Sequence, residues 1–111
     1  MATTQIQVTA CDNELMLIAI PTTPNAGSAS IELLHYKSGF NKPVNVTLFP
    51  GAVLPTGSYT LSMIGINWGG PSTYSVIVTT DGVAKTYTGG GNENVGPNWT
   101  NNVPISVVLG Q

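Results

Sequence analysis

Hydrophobic and polar residues alternate along most of the chain with a period of two. Residues 5–10 (Gln-Ile-Gln-Val-Thr-Ala) and 44–48 (Val-Asn-Val-Thr-Leu) are clear examples. A period of two predicts strands with one face buried, whereas the three- or four-residue spacing of an amphipathic helix is hard to find. We therefore predict an all-β protein. The predicted strands cover residues 5–10, 15–20, 31–36, 44–48, 58–64, 74–79, 83–87 and 103–109.

Turn residues separate these segments. Asp81-Gly82 lies between two alternating segments and predicts a β-hairpin. Pro55-Thr56-Gly57 precedes Tyr59 and predicts a corner from which the tyrosine ring points inward. Turn signals every 8–12 residues or so are typical of β-sandwiches. We predict one domain over residues 1–111, an antiparallel β-sandwich of about eight strands, either immunoglobulin/fibronectin-like or jelly-roll.

Three features depart from simple alternation. Residues 15–20 are continuously apolar, which predicts a central strand covered on both faces. Residues 89–102 are rich in Gly and Asn and are predicted to form a long loop. Pro104 lies near the start of the last predicted strand, and a residue without an N–H donor favours an edge position for that strand.

Charge is unusually scarce. Only 7% of the residues are charged, against roughly 25% in an ordinary soluble domain. Three lysines, no arginine and a formal net charge of −2 leave no basic stripe for nucleic acid or for anionic lipid. Because net charge keeps proteins apart in solution, we also expect a homo-oligomer.

The first residues contain neither a basic segment nor an apolar one of the kind found in signal peptides. The longest apolar run, residues 15–20, is too short to span a bilayer. We expect a cytoplasmic or leaderless secreted protein with no signal peptide or transmembrane segment. Cys11 is the single cysteine, which favours a small buried side chain over an intermolecular disulfide.

The residues that catalysis or metal binding would need are few. His35 is the single histidine, and it lies in an apolar predicted strand. The five carboxylates are scattered, and no Gly-x-Ser-x-Gly motif is present. Glu93 in a Gly/Asn segment is a poor calcium cage, because Ca²⁺ takes about six to eight oxygen ligands. We expect no enzymatic activity, no cofactor and no metal.

The two tryptophans are the stronger candidates for a binding site. Trp68 follows Asn67, and Trp99 follows Asn98, both in predicted loops near glycine. An indole face packs on the apolar face of a pyranose, and amides bond the sugar hydroxyls. The alternatives are that the tryptophans cap the core or belong to a protein interface. The candidate ligand-binding residues are Asn67, Trp68, Asn94, Asn98, Trp99 and Asn101.

The second half of the chain contains a characteristic order of short motifs. They are Leu48-Phe49-Pro50, Val53-Leu54, Ser58-Tyr59-Thr60, Gly65-x-Asn67-x-Gly69, Ser72-x-Tyr74-x-Val76, Asp81-Gly82 and residues 105–108. In this order the second half of the chain resembles the fungal immunomodulatory proteins, small lectin-like domains with a fibronectin-type sandwich. The resemblance implies a homodimer that engages cell-surface glycans or receptors. The dimer mode does not carry over, because a strand is predicted where that family begins with an amphipathic helix, the family has a further strand and tail after the position of Val108 where this sequence stops at Gln111, and Cys11 is present where the family usually lacks cysteine.

Our first hypothesis is a non-enzymatic, lectin-like protein that recognises neutral glycans or cell-surface glycoproteins through the Trp/Asn-rich segments. The alternative is a structural, self-assembling β-sandwich subunit of the capsid-decoration or inclusion type, which the scarcity of charge favours.

Overall fold

In the part of the chain that the structure describes, eight strands form two four-stranded antiparallel sheets. The computed structural model describes residues 4–22, 29–39, 41–91 and 95–111. The first sheet has the order β4-β1-β6-β7, and the second has the order β3-β2-β5-β8. The strands are β1 (Thr4–Cys11), β2 (Asn13–Pro21), β3 (Ile31–Ser38), β4 (Val46–Leu48), β5 (Gly57–Asn67), β6 (Thr73–Thr80), β7 (Val83–Gly90) and β8 (Gly96–Val107), with a 3₁₀ turn at Pro50–Ala52.

The core lies between the two sheets and is built from alternate residues of their central strands. Ile6 and Val8 project into it from β1, and Leu61 and Met63 project from β5. Each of these side chains is fully buried. The predicted fold class, an antiparallel β-sandwich, is confirmed, and each predicted strand corresponds to an observed one. No helix among the described residues has the length and hydrophobicity that crossing a membrane requires.

Two of the predicted turns have the expected geometry. Asp81 and Gly82 connect β6 to β7 with φ values of 50° and 81°, and positive φ at both positions is the mark of a type I′ hairpin. The Tyr59 side chain is 6% exposed, and its hydroxyl donates to the Pro55 carbonyl oxygen at 2.7 Å. This bond ties the start of β5 to the preceding corner.

The predicted loop over residues 89–102 is wrong at both ends, because β7 continues through Gly90 and β8 begins at Gly96, where it pairs with β5. Trp99 therefore lies in a strand, opposite Gly65. The Gly, Pro and Asn residues of this segment favour turns by composition, yet β8 lies at the edge of its sheet, where polar side chains reach water. Pro104 does lie in this edge strand, although well inside it and not near its start.

The apolar strand β2 is central, as predicted, but it is covered on only one face. Leu15 and Leu17 project into the core and are fully buried. On the opposite face Met16 and Ile18 are half-buried, and Ile20 is 39% exposed. The prediction of cover on both faces is therefore wrong for the described chain, because no further layer packs on this sheet.

Candidate functional site

Trp68 is an exposed indole with a fixed orientation. It follows the last residue of β5, and it is 52% exposed. Its backbone N–H donates to Asn13 Oδ1 at 3.0 Å, and its indole Nε1–H donates to Glu14 Oε1 at 2.9 Å. Both acceptors lie at the start of β2. Two hydrogen bonds therefore hold the ring at the end of the second sheet while leaving about half of its surface open to solvent.

Polar side chains of two strands, β2 and β3, continue from this indole in a chain of contacts. The second oxygen of the Glu14 carboxylate, Oε2, is hydrogen-bonded to His35 Nε2 on β3. The other ring nitrogen of His35, Nδ1, lies 3.4 Å from Glu32 Oε1. Trp68, Glu14, His35 and Glu32 thus form a connected row on the solvent side of the second sheet, which we call the Trp68 cluster.

The electrostatics of the cluster keep Glu14 ionised. The hydrogen bond with His35 lowers the pKa of the Glu14 carboxyl, and the hydrogen bond from Trp68 acts in the same direction. Partial desolvation opposes this shift, and the charge of Lys37, directly opposite Glu14 on β3, adds to it. The cluster therefore presents a carboxylate, a strong hydrogen-bond acceptor, beside an apolar ring face.

Trp99 occupies a different environment. Its ring stacks on the fully buried Tyr74 with 5.6 Å between the ring centroids and an interplanar angle of 5°. It also lies directly against Gly89, where a Cβ would collide with the indole. Tyr74 lies against Gly65 in the same way. Each of two aromatic residues thus packs on a glycine of the opposite sheet, and together they close this end of the core.

The two tryptophans consequently do not form one cleft. Trp99 is opposite Gly65 in the β5–β8 pair, at a position that faces the core. Trp68 contacts Glu14, and Glu14 is opposite Ile66 on the solvent face of the same sheet. The second sheet separates the two rings.

The asparagines near both tryptophans bond within the protein. Asn67 is fully buried; its Nδ2 donates to the Gly70 carbonyl at 2.8 Å, and its Oδ1 accepts from the Gly69 N–H at 3.2 Å. These bonds shape the turn that presents Trp68.

Asn98 Oδ1 accepts from the Tyr74 hydroxyl at 2.9 Å, and its Nδ2 donates to Ser72 Oγ at 2.8 Å. Asn101 pairs with Met63 and is partly buried. Asn94 lies outside the described residues.

Sequence reasoning missed Asn13, Glu14 and His35. Glu14 and Trp68 are 54 positions apart and meet only because β2 pairs with β5. The sequence did contain one indication. Glu14 lies two residues before Met16 and four before Ile18, and alternate residues of a strand share a face, so these three side chains are expected on one face. The sequence offered no way to know that this face is the exposed one.

The concave features of the surface are small. A groove of about 250 Å³ lies between β3 and the segment after β4, a cleft of about 190 Å³ lies between β7 and β8, and a depression of about 290 Å³ lies between the end of β1 and residues 41–43. Typical small-molecule pockets enclose roughly 300–1,000 Å³. In the part of the chain that the structure describes, no three His, Cys, Asp or Glu side chains are grouped to hold a metal ion. The residues lining the groove are Leu33, Thr47, Leu48, Phe49, Pro50, Ala52 and Val53.

Comparison with known proteins finds no matching family model, no matching curated protein and no matching solved structure. The resemblance to the fungal immunomodulatory proteins therefore stays a prediction, and the function must be argued from the Trp68 cluster.

Proposed function

We propose that this protein is a non-enzymatic, lectin-like domain that binds a neutral carbohydrate on the face of Trp68. The observation that carries the proposal is an indole that is 52% exposed and held by hydrogen bonds to Asn13 and Glu14. A large apolar ring left open and kept rigid suits a ligand with a flat apolar face, since little conformational freedom is lost on binding.

The polar groups beside the ring suit the hydroxyls of a sugar. An ionised carboxylate has about four acceptor positions, of which Trp68 and His35 occupy two in Glu14. The remaining positions can accept hydrogen bonds from sugar hydroxyls. A pyranose stacked on Trp68 would place its equatorial hydroxyls toward Glu14 and its C–H groups on the indole.

The site predicts weak binding of a single sugar, because it is one open platform and not an enclosed pocket. About −0.3 kcal/mol per non-hydrogen atom, over the twelve of a hexose, gives about −4 kcal/mol and a Kd on the order of 1 mM. Useful avidity would come from several sites on one glycan-covered surface.

Thermal unfolding in the presence of glucose, galactose, mannose, fucose or N-acetylglucosamine tests the proposal. One of these sugars at ten times its Kd should stabilise the wild type by about 1.4 kcal/mol. Trp68→Ala should abolish the shift, and Glu14→Gln should reduce it. Phe49→Ala is the matched control, because Phe49 is 51% exposed but lies outside the cluster. A sugar-dependent shift that persists in Trp68→Ala would overturn the proposal.

A second candidate function, a self-assembling structural subunit, is favoured by the uncovered apolar face of β2. It predicts assemblies whose mass increases steadily with protein concentration and does not change when sugars are added. A discrete species of fixed mass would contradict it.

A further inference from the structure

The depression of about 290 Å³ is polar and lies away from the Trp68 cluster. It is lined by the end of β1, by Asp12 in the link from β1 to β2, by residues 41–43 and by the first residue of β6. Its volume is just below the roughly 300 Å³ at which typical ligand pockets begin. The depression therefore suits a ligand smaller than a drug-sized molecule.

Asp12 is the buried polar group of this depression. The residue is 5% exposed; its backbone N–H donates to the Thr73 carbonyl oxygen at 2.9 Å, and its Oδ1 accepts from the Asn41 N–H at 3.2 Å. Its Oδ2 accepts no hydrogen bond from the residues that the structure describes. No fully buried side-chain oxygen in that part of the chain lacks a partner. Oδ2 is therefore accessible from the depression that Asp12 lines.

Lys42 supplies the opposite charge in the same depression. It is exposed, and its side chain lies along Gly39, where an added Cβ would be 3.3 Å from Lys42 Cγ and 3.7 Å from Lys42 Cε. Among the described residues the ion pairs all involve His35, so Asp12 and Lys42 do not form an ion pair with each other. The depression thus contains a carboxylate and an ammonium that are held apart, and each can contact a ligand.

We propose that this depression binds a small zwitterion, a free α-amino acid with an aliphatic side chain. The ammonium of the ligand donates to Asp12 Oδ2, and its carboxylate accepts from Lys42 Nζ, so each charge of the depression meets its opposite. Burial of Asp12 strengthens the first contact, because hydrogen bonds are stronger where water is excluded. The aliphatic side chain of the ligand packs on Ala10 and Pro43, the two apolar residues of the lining.

Other small ligands satisfy fewer of these groups. A calcium ion takes about six to eight oxygen ligands, whereas the depression offers one carboxylate and an ammonium that repels a cation. An amine alone leaves Lys42 without a counter-charge, and an anion alone is repelled by Asp12. A neutral sugar forms no charge pair with either residue. A zwitterion is the class of ligand that uses both charges.

The depression is separate from the sugar site proposed above. Asp12 and Asn13 are neighbours in the chain, but Asn13 Oδ1 accepts from the Trp68 N–H, whereas Asp12 bonds to Asn41 and Thr73. The two sites therefore share a backbone link and no side chain. Binding of an amino acid does not depend on binding of a sugar.

Backbone amide NMR of the isotope-labelled full chain tests the inference. Because so small a ligand binds weakly, alanine and valine are titrated to well above an expected Kd on the order of 1 mM. Each should give saturable shifts at Asn41, Lys42 and Thr73. Alanine methyl ester lacks the carboxylate and N-acetylalanine lacks the ammonium, so each should bind roughly tenfold more weakly. No saturable shift with either amino acid, or equal affinity for a blocked analogue or for glucose, would overturn the inference.

Substitutions then assign the two charges. Lys42→Met should weaken alanine binding roughly tenfold, and Asp12→Asn, which keeps the acceptor for the Asn41 N–H, should weaken it at least as much. Lys85→Met is the matched control, because Lys85 is an exposed lysine outside the depression, and it should bind alanine like the wild type. Trp68→Ala should do the same. Circular dichroism checks that each variant is folded. Wild-type affinity in both Lys42→Met and Asp12→Asn would overturn the inference.

Discussion

Replacing Gly65 with alanine tests how the aromatic pair closes the core. A Cβ built on Gly65 lies 2.7 Å from Tyr74 Cζ and 2.8 Å from both Cε atoms. These distances are far shorter than the roughly 3.5–4.0 Å of an optimal carbon contact. The ring cannot easily retreat, because it is fully buried, stacked on Trp99, and hydrogen-bonded to Asn98 at 2.9 Å.

The expected loss of stability follows from these contacts. Overpacking a well-packed core costs about 1–3 kcal/mol, and exchanging glycine for alanine in a strand returns about 0.5–1 kcal/mol. Because three atoms of the Tyr74 ring lie within 2.8 Å of the added Cβ, we expect the upper half of the overpacking range, about 2–3 kcal/mol. The net destabilisation by Gly65→Ala should then be about 1–2.5 kcal/mol, which lowers Tm by roughly 4–15 °C in a domain of this size. Urea unfolding followed by circular dichroism measures the same difference.

Gly57→Ala is the matched control in the same strand. A Cβ at Gly57 meets the Tyr59 ring at 3.8 Å, which is ordinary contact, and the position is exposed. Gly57→Ala therefore keeps the gain of about 0.5–1 kcal/mol without a collision, and the free energy of unfolding should not fall. In a Tyr74→Leu background the penalty of Gly65→Ala should largely disappear, because the ring it collides with is gone. A Gly65→Ala variant as stable as the wild type would refute this reasoning.

Three further predictions concern single residues. Asn98→Ala should cost about 1–3 kcal/mol in urea unfolding, because it removes the partner of the buried Tyr74 hydroxyl; an unchanged midpoint would show that water replaces the amide. Burial raises the pKa of the Cys11 thiol to about 12, with the charges of Asp12 and Glu14 adding to the shift, so the native protein should resist a thiol reagent at pH 8. The unfolded thiol titrates near about pH 8.5, so the protonated thiol contributes fully to the free energy of unfolding below that pH. This contribution is lost as the pH rises from there toward about 12. Cys11→Ala should remove this part of the alkaline loss of stability, and a loss as large as that of the wild type would contradict the prediction. Because the pKa of Glu14 is lowered in the folded state, the folded protein binds this proton less tightly than the unfolded chain does. The ionised carboxylate therefore contributes to the free energy of unfolding above about pH 4.3, and this contribution is lost as the pH falls further. Glu14→Gln should reduce the loss of the free energy of unfolding on acidification. An equally large loss in the variant would show that Glu14 is not its source.

The strands could be predicted from the sequence because each is a local pattern. Alternation located most of them, the continuous apolar run 15–20 located β2, and Asp81-Gly82 identified the β6–β7 hairpin from two residues whose positive φ values the turn requires. The loop prediction for residues 96–102 was wrong for a local reason as well, because the Gly, Pro and Asn residues there favour turns by composition and yet are tolerated in an edge strand.

The arrangement of the site could not be predicted, because it depends on which strands pair. Trp68 and Trp99 have the same local signature, Asn followed by Trp near glycine. One ring packs on Tyr74 inside the sandwich, and the other stands in solvent beside Glu14. That difference arises from the β5–β8 and β2–β5 registers, which bring together residues far apart in the chain. A register shift of one residue would exchange the two faces.

Saturation-transfer NMR with neutral monosaccharides detects sugar binding on the face of Trp68 directly. We predict that one sugar receives saturation at the C–H protons of a single ring face, that Trp68→Ala abolishes the transfer, and that Phe49→Ala leaves it unchanged. Transfer of equal strength in Trp68→Ala, or no transfer from any neutral sugar to the wild type, would contradict it.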